Sequence, residues 1–209
     1  MTSKLPRRGS FSAFTWQGKL PIDPHATSFA NEFAAALACC RFRTIDQACS
    51  EETSVGWCSP EDPSGATFER DEMDVGPAMW LRMRIDVKKL PAAQLRMHLA
   101  AEERARGKAL SPRERRDMKS DLLEKLMPRV LPTTRHIDAL IFNDHRRAVL
   151  FAVSRSVREH FAKMFRGSFG IELEACGPRA LARIRAGEGA HDAIDKLQPT
   201  KWPVARAGQ

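Results

Sequence analysis

No run of apolar residues in this chain is long enough to span a bilayer, which excludes a membrane-spanning helix. Cysteine is sparse and poorly arranged for chemistry. The five cysteines (Cys39, Cys40, Cys49, Cys58 and Cys176) form no C-x-x-C pair, and Cys49 and Cys58 have no second pair nearby. Reduced thiols, mostly in the core, are expected, and no metal site. The start of the chain is positive at Lys4, Arg7 and Arg8, but the stretch from Phe11 to Trp16 is too short and too polar for the apolar part of an export signal. The six histidines are scattered, so no Ser/His/Asp or Cys/His arrangement can be proposed from spacing. There is no internal repeat. These absences lead to the expectation of a soluble cytoplasmic protein with no cofactor and no catalytic set.

What is present is charge, unevenly placed. Between Arg82 and Arg135 fifteen Lys and Arg stand against seven Asp and Glu, an excess equal to the formal +8 of all 209 residues. From Asp46 to Asp74 nine acids stand against one base. Polarisation of this kind points to an electrostatic partner, with a polyanion as first candidate. The apolar fraction of 43% is enough for a real core, so the basic stretch belongs to a folded domain.

Phe11 to Gln17 reads as a first strand. Asp23 and Pro24 suit the N-cap and first position of a helix, which carries Phe29, Phe33, Leu37 and Cys40 on one buried face. The acidic stretch 46–76, rich in Ser, Pro and Gly, is expected to be loop with one short strand, and Trp57 within it to plug the core. Met79 to Val87 alternates strictly. Met79, Leu81, Met83, Ile85 and Val87 face one way, and Trp80, Arg82, Arg84 and Asp86 the other. Trp80 beside two arginines could stack a base or cover an apolar gap.

Two helices follow, one from Pro91 to about Arg106 and one opened by the capping box Ser111-Pro112-Arg113-Glu114 and closed before Pro128. Leu95 and Leu99 form a stripe at the start of the first; Met118, Leu122, Leu123, Leu126 and Met127 form one at the end of the second. Between them the helices are polar all round, which predicts an antiparallel hairpin with its base docked on the domain and its tip in solvent. Arg104, Arg106, Lys108, Arg113, Arg115, Arg116 and Lys119 crowd that tip. Beyond it, 136–142 and 147–153 read as a hairpin of central strands. Ser156 to Glu159 reads as a capping box for a helix with Val157, Phe161, Met164 and Phe165 buried, ending at Gly167. Ile171 to Cys176 reads as the last strand, with Ile171, Leu173 and Ala175 inward, and a short basic helix and tail follow Pro178.

The expected fold class is α+β: a mixed sheet of about five strands with helices packed on it and a projecting basic hairpin over 91–127. The expected division is a flexible N-terminus over 1–10, a domain over 11–178, and a basic C-terminal helix and tail over 179–209.

This order of elements resembles the bacterial recombination-associated RdgC family. Gly56-Trp57 with nearby Pro60 is similar to that family's G-W-V-P segment, and Ile85 to Pro91 to its basic strand end running into a helix-starting proline. Leu126-Met-Pro-Arg-Val-Leu131 is similar to its L-L-P-R-A-F, and Ile137-Asp138 and the apolar hairpin also fit. The resemblance covers roughly 11–178 and implies DNA binding without strong sequence preference by a two-chain ring around duplex DNA. It also implies a link to restraining RecA-type recombinase and to replication restart, hence nucleoid association. The arginine of L-L-P-R-A-F implies a DNA-contact role for Arg129; Leu131 stands where the family has phenylalanine. Family members continue well past the last strand, so the resemblance implies a short member.

The leading expectation is therefore a non-sequence-specific DNA-binding protein acting on duplex or single-stranded DNA, and forming a homodimer. Its contacts are expected at Arg82, Arg84, Arg104, Arg106, Lys108, Arg113, Arg115, Arg116, Lys119 and Arg129. An alternative is a Mg²⁺-dependent nuclease using the D-x-K form at Asp86 and Lys88, with a second carboxylate from Glu69, Asp71 or Asp74. A third is an interaction module whose acidic segment docks on the basic hairpin, either of a second copy or within one chain.

Overall fold

The computed structural model describes residues 9–18, 20, 29–46, 48, 50 and 52–198. The proposed cap at Asp23 and Pro24, Cys49, most of the N-terminal segment and the end of the tail lie outside the described residues. In chain order the elements are β1 (Ser12–Thr15), α1 (Phe29–Cys39), β2 (Glu52–Cys58), α2 (Arg70–Met73), β3 (Met79–Lys88), α3 (Ala92–Arg106), α4 (Pro112–Leu126), β4 (Thr133–Phe142), β5 (Arg147–Leu150), α5 (Arg155–Phe169), β6 (Glu174–Ala175), α6 (Pro178–Ala186) and α7 (His191–Lys196). No helix among the described residues is long and apolar enough to cross a membrane.

The fold is α+β. Its sheet has six strands in the order β2-β3-β4-β5-β1-β6. Every ladder between them is antiparallel, where a mixed sheet of about five strands was expected. β3 and β4 make the longest ladder because both alternate cleanly: Leu81 opposes Ala139 and Met83 opposes Ile137 on the apolar face. Helices α1 and α5 cover that face. Phe33 and Leu37 of α1, and Val157, Phe161, Phe165 and Phe169 of α5, join Phe14, Trp16, Trp57, Leu81 and Met83 in one core.

Several expectations are corrected. The acidic stretch contains a full seven-residue strand, β2, paired along its length with β3. Trp57 is a fully buried member of that strand whose Nε1 donates to Ser168 Oγ at 2.9 Å. The strand is longer than the short one expected, although Gly56 interrupts it. The glycine is there for space: a Cβ on Gly56 would lie 2.2 Å from Phe42 Cα, where the 41–42 segment crosses the strand.

Helix α5 starts two residues earlier than its expected capping box. Ser154 is the cap and accepts from the Val157 amide, while Glu159 is taken up by Arg155. The helix runs through Gly167 and ends at Gly170, whose φ of 68° is the left-handed conformation glycine favours. Gly167 instead admits the thiol of Cys40, just past the end of α1, whose Sγ would lie 2.8 Å from an added Cβ. The last strand shrinks to Glu174 and Ala175, both exposed; Ile171 and Leu173 pack on the core from irregular backbone.

Candidate nucleic-acid interface

The helical hairpin forms as the sequence predicts, from strong local signals. Ser111 caps α4: its Oγ accepts from the Glu114 amide while the Glu114 carboxylate accepts from the Ser111 amide at 2.9 Å. Nearby Lys108 and Arg106 reinforce those hydrogen bonds in holding the Glu114 carboxyl below its usual range. Gly107, at φ 65°, ends α3. Most of the two apolar stripes closes between the helices, while Met127 is buried at the root. Leu99, Leu110 and Leu122 are buried together, with Leu95, Met118 and Leu126 packed against them. This cluster shares no residue with the main core.

Packing inward leaves the hairpin's charge outside. Arg104, Arg106, Lys108, Arg113, Arg115, Arg116, Lys119 and, at the exit, Arg129 are all exposed. Arg115 bridges the helices through Glu103 at 3.2 Å, and Arg116 Nε donates to the Pro112 carbonyl at 3.3 Å. Among the described residues no acidic partner is found for Arg104, Arg106, Lys108, Arg113, Arg116, Lys119 or Arg129.

The cations of β3 are in a different state. Arg82 Nε donates to Asp138 Oδ1 at 2.7 Å, its Nη1 donates to the Pro60 carbonyl at 2.8 Å, and its guanidinium lies 5.3 Å from the Trp80 ring centre. Arg84 grips both oxygens of Asp86 at 2.9 and 2.7 Å, and its Nη1 donates to the Pro63 carbonyl at 3.0 Å. Its guanidinium lies 4.1 Å from the centre of the Phe42 ring. Those carboxylate hydrogen bonds raise the Arg84 pKa further. Each arginine side chain stays about 20% exposed. Trp80 is buried, with Nε1 donating to Asp138 Oδ1 at 3.0 Å, so it covers a gap rather than offering a stacking platform.

The acidic segment is what does the covering. Carbonyls of Asp46, Pro60 and Pro63 accept from Lys88, Arg82 and Arg84, laying the segment along the polar face of β3. Among the described residues no ion pair joins it to the hairpin. Within it Asp62 accepts from Ser64, Ala66 and Thr67. The Ser64 hydroxyl bond is the chief reason its pKa falls from 3.8 to about 2. Burial pushes the Cys58 thiol up to about 12, which leaves it unreactive.

Both members of the D-x-K pair are engaged within the protein. Asp86 and Lys88 are both fully buried, Asp86 held by Arg84 and Lys88 donating to the Asp46 carbonyl. Among the described residues no group of three or more His, Cys, Asp or Glu side chains is gathered as a metal ion would need. A cavity of about 580 Å³ lies by β1, the 143–146 turn and α6, lined by Thr15, Asp144, Arg146, Glu174 and Arg183 among others; it shares no residue with the hairpin.

Residues to which the sequence reading gave no site role complete the polar face. Asp138 receives both Trp80 and Arg82, and His136 faces Arg84 across the β3–β4 ladder. Burial, then Arg82 and Arg84, lower the His136 pKa. A lone aspartate in the apolar run of β4 was the available signal, since such a residue needs a partner.

A family model described as "Putative exonuclease, RdgC" matches residues 21–179. A "Recombination-associated protein RdgC" from Stenotrophomonas maltophilia (strain R551-3) is 32% identical over 129 residues, covering 57% of this chain and 40% of that relative. The matched chain therefore spans about two fifths of that curated relative's length.

Proposed function

This chain belongs to the RdgC family, and on that premise we propose that it is a recombination-associated protein that binds DNA through phosphate contacts made by its helical hairpin. The observation that carries the reading is the contrast between two sets of cations. The β3 arginines are occupied by carboxylates and carbonyls, whereas Arg104, Arg106, Lys108, Arg113, Arg116, Lys119 and Arg129 are exposed with no acidic partner among the described residues. Free Lys and Arg gain by neutralising phosphates and releasing counterions. Arg82 and Arg84 contribute through their field and the exposed fraction of their side chains.

Neither α3 nor α4 carries Phe, Tyr or Trp. The large aromatic side chains on which unpaired bases usually stack are missing from both helices. This supports sequence-independent contact with the duplex backbone. Each helix of 15 residues is roughly 22 Å long, enough to follow a duplex backbone over much of one turn. Nucleoid association follows from such binding. Photocrosslinking a duplex to the protein and mapping the attached peptides tests the reading: attachment within 104–119 supports it, and attachment confined to residues beyond Pro178 contradicts it.

The family description names an exonuclease, which favours a second reading in which DNA is also cut. On that reading Asp86, buried and gripped through both oxygens by Arg84, is a poorer metal ligand than an open carboxylate would be.

A further inference from the structure

We propose that the hairpin is an articulated arm, a rigid body that swings relative to the sheet. Three observations carry this. First, the arm has its own apolar cluster, built from Leu95, Leu99, Leu110, Met118, Leu122 and Leu126, separate from the core under the sheet. It therefore keeps its shape without the domain's help. Second, among the described residues no ion pair or side-chain hydrogen bond joins 92–126 to the body; the polar side-chain contacts of α3 and α4 stay within the arm. Third, both connections are irregular. Residues 89–91 lead in, and a tight turn over Met127–Arg129 and irregular residues 130–132 lead out.

Pro91, Pro128 and Pro132 in these connections stop either helix from running on into the sheet and coupling to it. Leu90 and Met127 are buried and mark the pivot at the root. A few such residues at element ends suffice to carry a hinge motion. The swing itself does not rest on DNA binding. Its use does: an arm that moves as a unit can bring its cations onto a duplex and close behind it.

Bio-orthogonal spin labels on the full chain test this by pulsed dipolar distance measurement. One pair joins Ala109 at the tip to Val153 on the body, both exposed. A second, Ala101 and Ser120, lies within the arm, also exposed. Without DNA the tip-to-body distribution is expected to be at least about twofold wider than the one within the arm. Equal, narrow widths overturn the arm, and so does a wide distribution within the hairpin, because then it is not one rigid body. Adding a duplex reads the binding proposal separately. A wide tip-to-body distribution that narrows supports both proposals, and one that stays unchanged keeps the arm and contradicts DNA capture by it.

Discussion

The guanidinium of Arg84 lies 4.1 Å from the centre of the Phe42 ring while its other edge grips Asp86. This contact joins the segment after α1 to the polar face of β3. It also explains why a strand that reads as a basic surface is, in the fold, an internal seam.

Gly56 permits that seam, because Phe42 backbone passes where its side chain would be. Gly56→Ala must push 41–42 away from β2 and lift Phe42 from Arg84. The expected loss is about 2 kcal/mol or more of unfolding free energy, read by urea denaturation. A variant as stable as the parent would show that the crossing is loose.

Asp86 separates a structural role from a catalytic one. Asp86→Asn leaves Arg84 without its buried carboxylate and is expected to cost about 2–3 kcal/mol, discounted from a fully buried pair because Arg84 is partly exposed. Any Mg²⁺-dependent DNA degradation by the parent protein should persist in the folded variant. Loss of such activity with stability unchanged would restore Asp86 as a metal ligand.

Asp62 sets an acid limb. Its folded pKa of about 2 lies below the ordinary 3.8, so its charged form stabilises the fold above pH 3.8, and that contribution fades as pH falls through about 2. Asp62→Asn should melt lower than the parent at neutral pH, with the gap closing below pH 2. A constant gap across that range would contradict the assignment.

His136 reports the field of the seam. Burial and then the two arginines hold it below its usual 6.5, so it is expected to be largely neutral at pH 7. Its ring resonances in an NMR titration should give a value under 6.5, and Arg82→Gln should move that value upward. A midpoint at or above 6.5 in the parent would mean the arginine charge does not reach it.

Much of this architecture was legible where local chemistry decides it. The Ser111 capping box, the Gly107 stop and the alternation of β3 are each fixed by neighbours in sequence, and each formed where expected. The exposed cations of the hairpin followed from the same local pattern. What was not legible depended on remote partners. Strand β2 exists because β3 offers it a ladder, despite a glycine whose purpose lies with Phe42. Gly167 looked like a helix stop and is a contact with Cys40. The engagement of Arg82 and Arg84 needed Asp138 and the carbonyls of Pro60 and Pro63, none of which spacing along β3 reveals.

The central claim is that the hairpin makes most of the phosphate contacts, with the sheet arginines secondary. Its most direct test is the salt dependence of duplex binding for the parent and for a variant with Arg104, Arg106, Lys108, Arg113, Arg116 and Lys119 all changed to Gln. Each lost phosphate contact should flatten the slope of log affinity against log salt by about 0.9, so the account expects a steep slope in the parent and a shallow one in the variant. A variant that keeps both the parent's affinity and its slope would contradict it.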